Sequence, residues 1–160
     1  MGSARAGLTA NTPTRFVSQH SAQLSLSVAQ AYARLSDIST WWDPAHTWFG
    51  RSENLSLSLT AGGCFCERSG ENQVEHLRVL VAQAGKRLRL QGGLGPLQAL
   101  PLNAVMDWTF TPQENGTLVS LSYQVAGDVG VDLTTWSQAV DKVLAGQFAR
   151  YATMVPQAQR

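Results

Sequence analysis

Charged side chains are few in this sequence: Asp, Glu, Lys and Arg make up 14% of its 160 residues and leave a formal net charge of +1. No basic face is available to track a phosphate backbone and no acidic tail to recruit a basic partner, so nucleic acid is a poor match. Long hydrophobic runs are missing as well. No segment approaches the roughly 18 apolar residues that span a bilayer, and residues 1–15 lack the apolar centre of a signal peptide. That opening, MGSARAGLTANTPTR, reads as a disordered or tag-like lead. The expected compartment is cytoplasmic as the chain stands, or exported if a signal segment was trimmed.

Several chemical signatures are absent too. There is no Gly-rich phosphate loop, no G-x-S-x-G elbow and no H-E-x-x-H, which leaves the common motif-bearing enzyme classes without support. The two cysteines, Cys64 and Cys66, lie at i and i+2 and so point to one face of a strand. A bridge between such neighbours strains extended backbone, and two free thiols are expected. Cys64, Cys66, His76 and Arg78 share the face opposite the apolar one, but C-x-C with one histidine lacks a fourth ligand and matches no standard zinc pattern. No metal and no cofactor are expected.

What the chain does have is an aromatic concentration. Ser39–Gly50, STWWDPAHTWFG, holds three of the five tryptophans with a phenylalanine, a histidine and a proline. Around it the hydrophobic period changes in order. Residues 16–26 alternate, with Phe16, Ala22, Leu24 and Leu26 on one face and His20 sharing their parity. Val28, Tyr32, Leu35 and Ile38 then follow helical spacing behind Ser27, a residue suited to N-capping. Leu55, Leu57 and Leu59 alternate with serines, and CFCE, turn-rich RSGENQ and VEHLRVLVAQ read as a hairpin. RLRLQ, LNAVMDWTFT and TLVSLSYQVA are further alternating strands. From Asp132, an apolar stripe through Leu133, Trp136, Val140, Leu144, Phe148 and Tyr151 marks a long amphipathic helix. An antiparallel sheet with one dry face needs a cover, and this helix has the matching stripe. The expected architecture is α+β: a curved antiparallel sheet of about seven strands around a long C-terminal helix, with short helices after the first strand, one domain over residues 16–155 and a tail at 156–160.

The Trp41-Trp42 pair after the first helix, GGCF entering a strand, the long VEHLRVLVAQAGKRLRL hairpin and the terminal helix around Trp136 resemble the START-like or SRPBCC superfamily. The likeness is to bacterial members grouped with polyketide cyclase/dehydratase and with activators of the 90-kDa heat-shock chaperone ATPase. It covers roughly residues 16–153, through short and degenerate motifs. The resemblance implies the helix-grip fold and an apolar cavity between sheet and helix. It does not imply one activity, because members bind lipids, polyketides or hormones, catalyse cyclisation or dehydration, or dock onto proteins.

The candidate site follows. Successive helical residues lie about 100° apart, so one of Trp41 and Trp42 is expected in the core and the other at a rim. Trp42, Trp48 and Phe49 offer flat apolar contact to a ligand, or fill a sheet edge as ordinary core. His46 either donates to a ligand oxygen or bonds the backbone, and His20 is either a satisfied core histidine or a polar anchor. Phe65, Met106, Trp108 and Tyr123 from the strands, Trp136 and Phe148 from the helix, and Leu94 and Leu97 from the Gly92–Leu102 loop complete the ligand-binding set. That loop is either a lid or a packed apolar connection. Glu67 shares parity with Phe65, and Glu75 with Leu77, Val79 and Val81, so an even register puts two acids on the apolar face as a catalytic pair. A one-residue slip would instead turn Cys66 and His76 inward. Gly146, in mid-helix, suggests a close backbone approach. A small hydrophobic ligand is the expected partner, with an enzyme of the cyclase, dehydratase or isomerase sort, or a protein-binding module, as alternatives.

Overall fold

The structure, a computed structural model, describes residues 6–153. Its strands are β1 (Ala6–Thr12), β2 (Arg15–Leu24), β3 (Leu55–Leu57), β4 (Cys64–Ser69), β5 (Asn72–Gln83), β6 (Arg87–Gln91), β7 (Asn103–Gln113) and β8 (Gly116–Ala126). They form one sheet in the order β1-β2-β8-β7-β6-β5-β4-β3, antiparallel at every pairing. Between β2 and β3 run the short helices α1 (Val28–Ala33) and α2 (Ile38–Trp41), joined by a 3-10 turn at Arg34–Asp37. The long helix α3 (Thr134–Thr153) closes the chain. This is the helix-grip α+β arrangement. None of the described helices is long and apolar enough to cross a membrane.

The strand count exceeds the expected seven by one because β1 lies inside the stretch read as a disordered lead. Its residues Ala6–Thr12 have a Gly, Thr and Asn composition typical of turns, yet they pair with β2 from Thr12↔Arg15 back to Ala6↔His20. Backbone N–H and C=O groups supply that ladder whatever the side chains, so no alternation was needed. Residues 1–5 and the expected tail at 156–160 lie outside the described residues.

The dry face of the sheet follows the alternation closely. Phe16, Leu88, Leu90, Val119, Leu121, Tyr123 and Val125 are buried, and α3 sets Leu144, Phe148 and Tyr151 against them. Tyr151 meets Trp108 edge-on at 4.9 Å between ring centroids and Trp41 at 5.4 Å. Such an aromatic cluster dominates the core energetically, since truncating one of these side chains to alanine costs roughly 3–5 kcal/mol.

The helices start and stop where the chain chemistry dictates. Ser27 caps α1: its Oγ accepts from Gln30 N–H at 3.2 Å, and Gln30 Oε1 accepts from Ser27 N–H at 3.0 Å. Trp41 ends α2 in the core, whereas Trp42 leaves the helix with extended backbone (φ −70°, ψ 134°). That single change of backbone state lets both indoles be buried, Trp41 in the core and Trp42 facing a hollow. Arg150 Nε then donates to Trp41 C=O at 2.8 Å, and Gln147 Oε1 accepts from Asp43 N–H at 2.9 Å. These bonds tie α3 to the aromatic segment and satisfy backbone groups that a helix end leaves free.

Candidate functional site

A cavity of about 350 Å³ lies between α3, the aromatic segment and the loop after β6. Its walls are Trp42, His46, Thr47 and Trp48 on one side, Leu94, Gly95 and Pro96 on a second, and Trp136, Ala139, Val140, Val143 and Leu144 of α3 on a third, with His76 of β5 completing them. The lining contains no Lys, Arg, Asp or Glu. It is an apolar, aromatic hollow with few polar points, the usual make-up of a small-molecule site.

The rim is built by the local chemistry of Trp42–Phe49. Asp43 Oδ1 accepts from Ala45 N–H at 2.9 Å and starts a 3-10 turn at Pro44–His46, where proline's fixed φ is already suitable. Trp42 Nε1 donates to His46 C=O at 3.0 Å, fixing the indole against that turn. The next two backbone N–H groups are taken by a carboxylate: Trp48 N–H donates to Glu67 Oε2 at 3.0 Å and Phe49 N–H to Glu67 Oε1 at 2.7 Å. The opposite rim hangs from Tyr123, whose hydroxyl donates to Gly92 C=O at 2.8 Å and accepts from Leu94 N–H at 3.0 Å. Burial pushes the phenol of Tyr123 well above its ordinary range, keeping it a neutral donor.

Glu67 is fully buried, and its third partner is the centre of the site. His76 Nε2 lies 2.8 Å from Glu67 Oε2. With two N–H groups already donating to it, the carboxylate acts as acceptor, so the proton on this contact belongs to His76 Nε2. The other ring nitrogen, Nδ1, has no partner among the described residues. The His76 ring is 7% exposed, packs on Phe65 at 4.7 Å and on Trp48 at 6.4 Å between centroids, and lines the cavity. Burial lowers its pKa below the usual 6.5, outweighing the pull of Glu67 in the other direction. The imidazole is therefore neutral near pH 7, with an acceptor lone pair at Nδ1.

A β-bulge produces this pairing. Phe65 pairs with Leu77 but Cys66 pairs with Glu75, so His76 is an extra residue on β5. Such an insertion reverses parity beyond it. His76 and Leu77 both turn inward, Glu67 stays inward opposite Val74, and Glu75 is thrown to the outer face. There Glu75 accepts from Arg78 at 2.7 Å in a half-exposed pair. The even register that set Glu67 beside Glu75 on the apolar face is thus corrected: one acid and one histidine meet there. The grouping of His76 with Cys64, Cys66 and Arg78 is corrected with it.

The two cysteines are also not free. Cys64 and Cys66 are bonded to each other, with Cα atoms 5.4 Å apart. Two residues of regular strand span roughly 6.6–6.8 Å, the spacing on which free thiols were expected. Beside the bulge the two residues stand closer than that, and the separation falls inside the ordinary range for a disulfide.

Of the sequence-derived ligand residues, Trp42, His46, Trp48, Leu94 and Trp136 come together around the cavity. Phe65 stands behind its wall, edge-on to Trp42 and tilted against His76, and Phe49 contributes its backbone N–H to Glu67. Leu97, Met106, Trp108, Tyr123 and Phe148 are buried in the core away from the lining. The Gly92–Leu102 loop holds a 3-10 turn at Gly95–Ala99 with Leu97 fully buried, and Gln98 Nε2 donates to Glu75 C=O at 2.9 Å. It is a packed wall from which Leu94 alone of its four leucines lines the hollow. Thr47 and the α3 face from Ala139 to Leu144 were not singled out as lining, and His76 entered only through the alternative register. The helical stripe already contained Val140 and Leu144, but nothing in QVEHLRV marks the bulge.

His20 is a satisfied interior histidine: its Nε2 is 3.0 Å from Ser18 Oγ and 3.2 Å from Asp141 Oδ1. Ser18 Oγ donates to Asp141 Oδ1 at 2.6 Å, so the serine proton already has an acceptor other than the imidazole. The trio pins β2 to α3 and is no nucleophile–base relay. Around Gly146 an added Cβ meets no atom within 4 Å, so the expected close approach is not present.

No family model matches the chain, and no curated protein matches it in sequence. Solved structures match in fold. Protein MLL2253 from Mesorhizobium loti superposes with a TM-score of 0.62 at 14% identity, over 90% of this chain and 99% of its own. CalU16 from Micromonospora echinospora does so with a TM-score of 0.53 at 11% identity, covering 95% and 88%. DynU16, a protein in the dynemicin biosynthetic locus, gives a TM-score of 0.59 at 15% identity over 85% of this chain and 45% of its own. At such identities the likeness is one of fold: this chain shares a curved sheet closed by a C-terminal helix with bacterial proteins, at least one of them from a biosynthetic locus.

Proposed function

We propose that this protein is a START-like, SRPBCC-type domain that binds a small neutral hydrophobic molecule, of lipid- or polyketide-like character, in the cavity under α3. The observation that carries this reading is the chemistry of the lining: a hollow of about 350 Å³ with apolar, tryptophan-rich walls, among which His76 is a polar point. Nδ1 of His76 has no protein partner among the described residues, so a ligand hydroxyl donating to it adds a hydrogen bond with a net worth of about 0.5–1.5 kcal/mol. With no charged group in the lining, a neutral ligand fits better than an anion or a cation. DynU16 sharing the fold within a biosynthetic locus supports a metabolite-sized ligand. A protein-docking role has less behind it: the large apolar side chains left exposed among the described residues are Trp48, Leu80 and Val131, from three separate segments.

The test is titration with 2-naphthol and with naphthalene, followed by intrinsic tryptophan fluorescence. Saturable quenching is expected from both, with 2-naphthol tighter by about fivefold, the worth of one neutral hydrogen bond near 1 kcal/mol. Val140→Trp fills the hollow and removes both signals. Equal binding by the filled variant, or none by the parent, would sink the reading. Native mass spectrometry of the protein from its own organism then identifies the natural ligand class.

A further inference from the structure

Beyond holding a ligand, the cavity carries the parts of a proton-transfer site. We infer that His76, oriented by Glu67, is a general base that takes a proton from a carbon acid bound in the cavity, a neutral aromatic or polycyclic compound with an acidic C–H beside a carbonyl. The inference rests on the cavity being a ligand site.

The argument is geometric. His76 is buried, its Nε2–H is fixed on Glu67 Oε2 at 2.8 Å, and its remaining lone pair is the one at Nδ1. Glu67 is itself immobilised by the N–H groups of Trp48 and Phe49 at 3.0 and 2.7 Å. A carboxylate behind an imidazole selects the tautomer and stabilises the imidazolium formed when the ring accepts a proton. Burial favours the neutral, proton-accepting form in the resting protein. The titratable group facing His76 from β4 is Glu67; the aromatic segment brings His46 to the rim; the lining stretches of α3 and of the loop at Leu94–Pro96 bring none.

The step balances without an added oxidant or reductant. Nδ1 takes the proton, the C–H electron pair moves into the carbonyl to give an enolate, and the imidazolium pairs with Glu67. Return of the proton to the same carbon gives exchange, and return to a conjugated carbon gives an isomer. Flat aromatic walls at Trp42, Trp48 and Trp136 suit a planar substrate whose enolate charge is spread over a conjugated system. Glu67 is a positioning residue, because it acts through His76.

The experiment uses 5-nitrobenzisoxazole, a planar neutral carbon acid. A base removes its C3 proton, the electron pair forms the nitrile, the N–O bond breaks and a coloured phenolate leaves. The parent protein is expected to show saturable turnover at least about 100-fold above an equal concentration of free imidazole, falling as pH drops through the lowered value of His76. His76→Gln, which can still donate to Glu67, should lose at least tenfold in rate while binding the probe within about threefold of the parent, read by tryptophan quenching. Glu67→Gln should shift the pH profile and lower kcat more than it raises KM. Binding without turnover, or full turnover by His76→Gln, overturns the base and leaves the cavity reading standing. Absence of binding overturns both.

Discussion

Replacing Glu67 tests whether one buried carboxylate holds the rim of the cavity together. Its Oε2 accepts from both Trp48 N–H and His76 Nε2, and its Oε1 from Phe49 N–H. In Glu67→Gln one oxygen must become an NH₂. If the amide oxygen takes the Oε2 place, NH₂ faces Phe49 N–H. If it takes the Oε1 place, NH₂ faces Trp48 N–H, while the imidazole can move its proton to Nδ1 and accept. Either way one backbone donor confronts another donor, at a cost of about 1–2 kcal/mol, the lower part of the range for an unmet buried group, because this backbone is only partly sheltered. Glu67→Ala strands all three donors and leaves a void, for a loss on the order of 3–5 kcal/mol. In a domain of this length that lowers Tm by roughly 6–20 °C. Urea unfolding followed by tryptophan emission gives the midpoint and the slope, and an unchanged slope identifies the loss as native-state stability. Both variants lying within 0.5 kcal/mol of the parent would refute the reasoning, because the three bonds would then contribute nothing that water does not replace.

Three further outcomes are expected. His20 and His76 both have pKa values lowered by burial, so the unfolded chain binds more protons than the folded one below about pH 6.5, and stability present above that pH is lost as pH falls through the folded values. Urea midpoints measured from pH 8 to 5 should decline, and His20→Gln with His76→Gln should flatten the decline; a flat parent profile contradicts the burial of both rings. Alkylation of the denatured, unreduced protein should leave its mass unchanged and add two groups only after reduction, whereas two adducts without reductant mean that Cys64 and Cys66 are not bonded. Gly146→Ala places a methyl where no atom stands within 4 Å, and should raise stability by about 0.4–1 kcal/mol, seen as a higher urea midpoint; destabilisation would show that the glycine is needed for a contact.

The sheet, the covering helix and the aromatic hollow are all consequences of local pattern. Alternation in β2, β7 and β8 assigns the dry face because side chains in a strand repeat every two residues, and the α3 stripe repeats at the helical period, so Leu144, Phe148 and Tyr151 were bound to meet that face. Ser27 announced the start of α1 through its capping chemistry. What local pattern does not contain is any quantity that depends on a partner strand. β1 was invisible because an edge strand can be made by backbone pairing alone. The bulge at His76 is a property of β4 and β5 together: one residue more on one side reverses the faces of its neighbours, turning a pair of acids into an acid and a histidine and throwing Glu75 out to Arg78. At the same register shift Cys64 and Cys66 stand 5.4 Å apart, within bonding reach. Sequence alone therefore determined which surfaces are apolar and how they are covered, through periods of two and 3.6. Only tertiary pairing decided which polar groups enter the hollow, because register is set between strands and not within them.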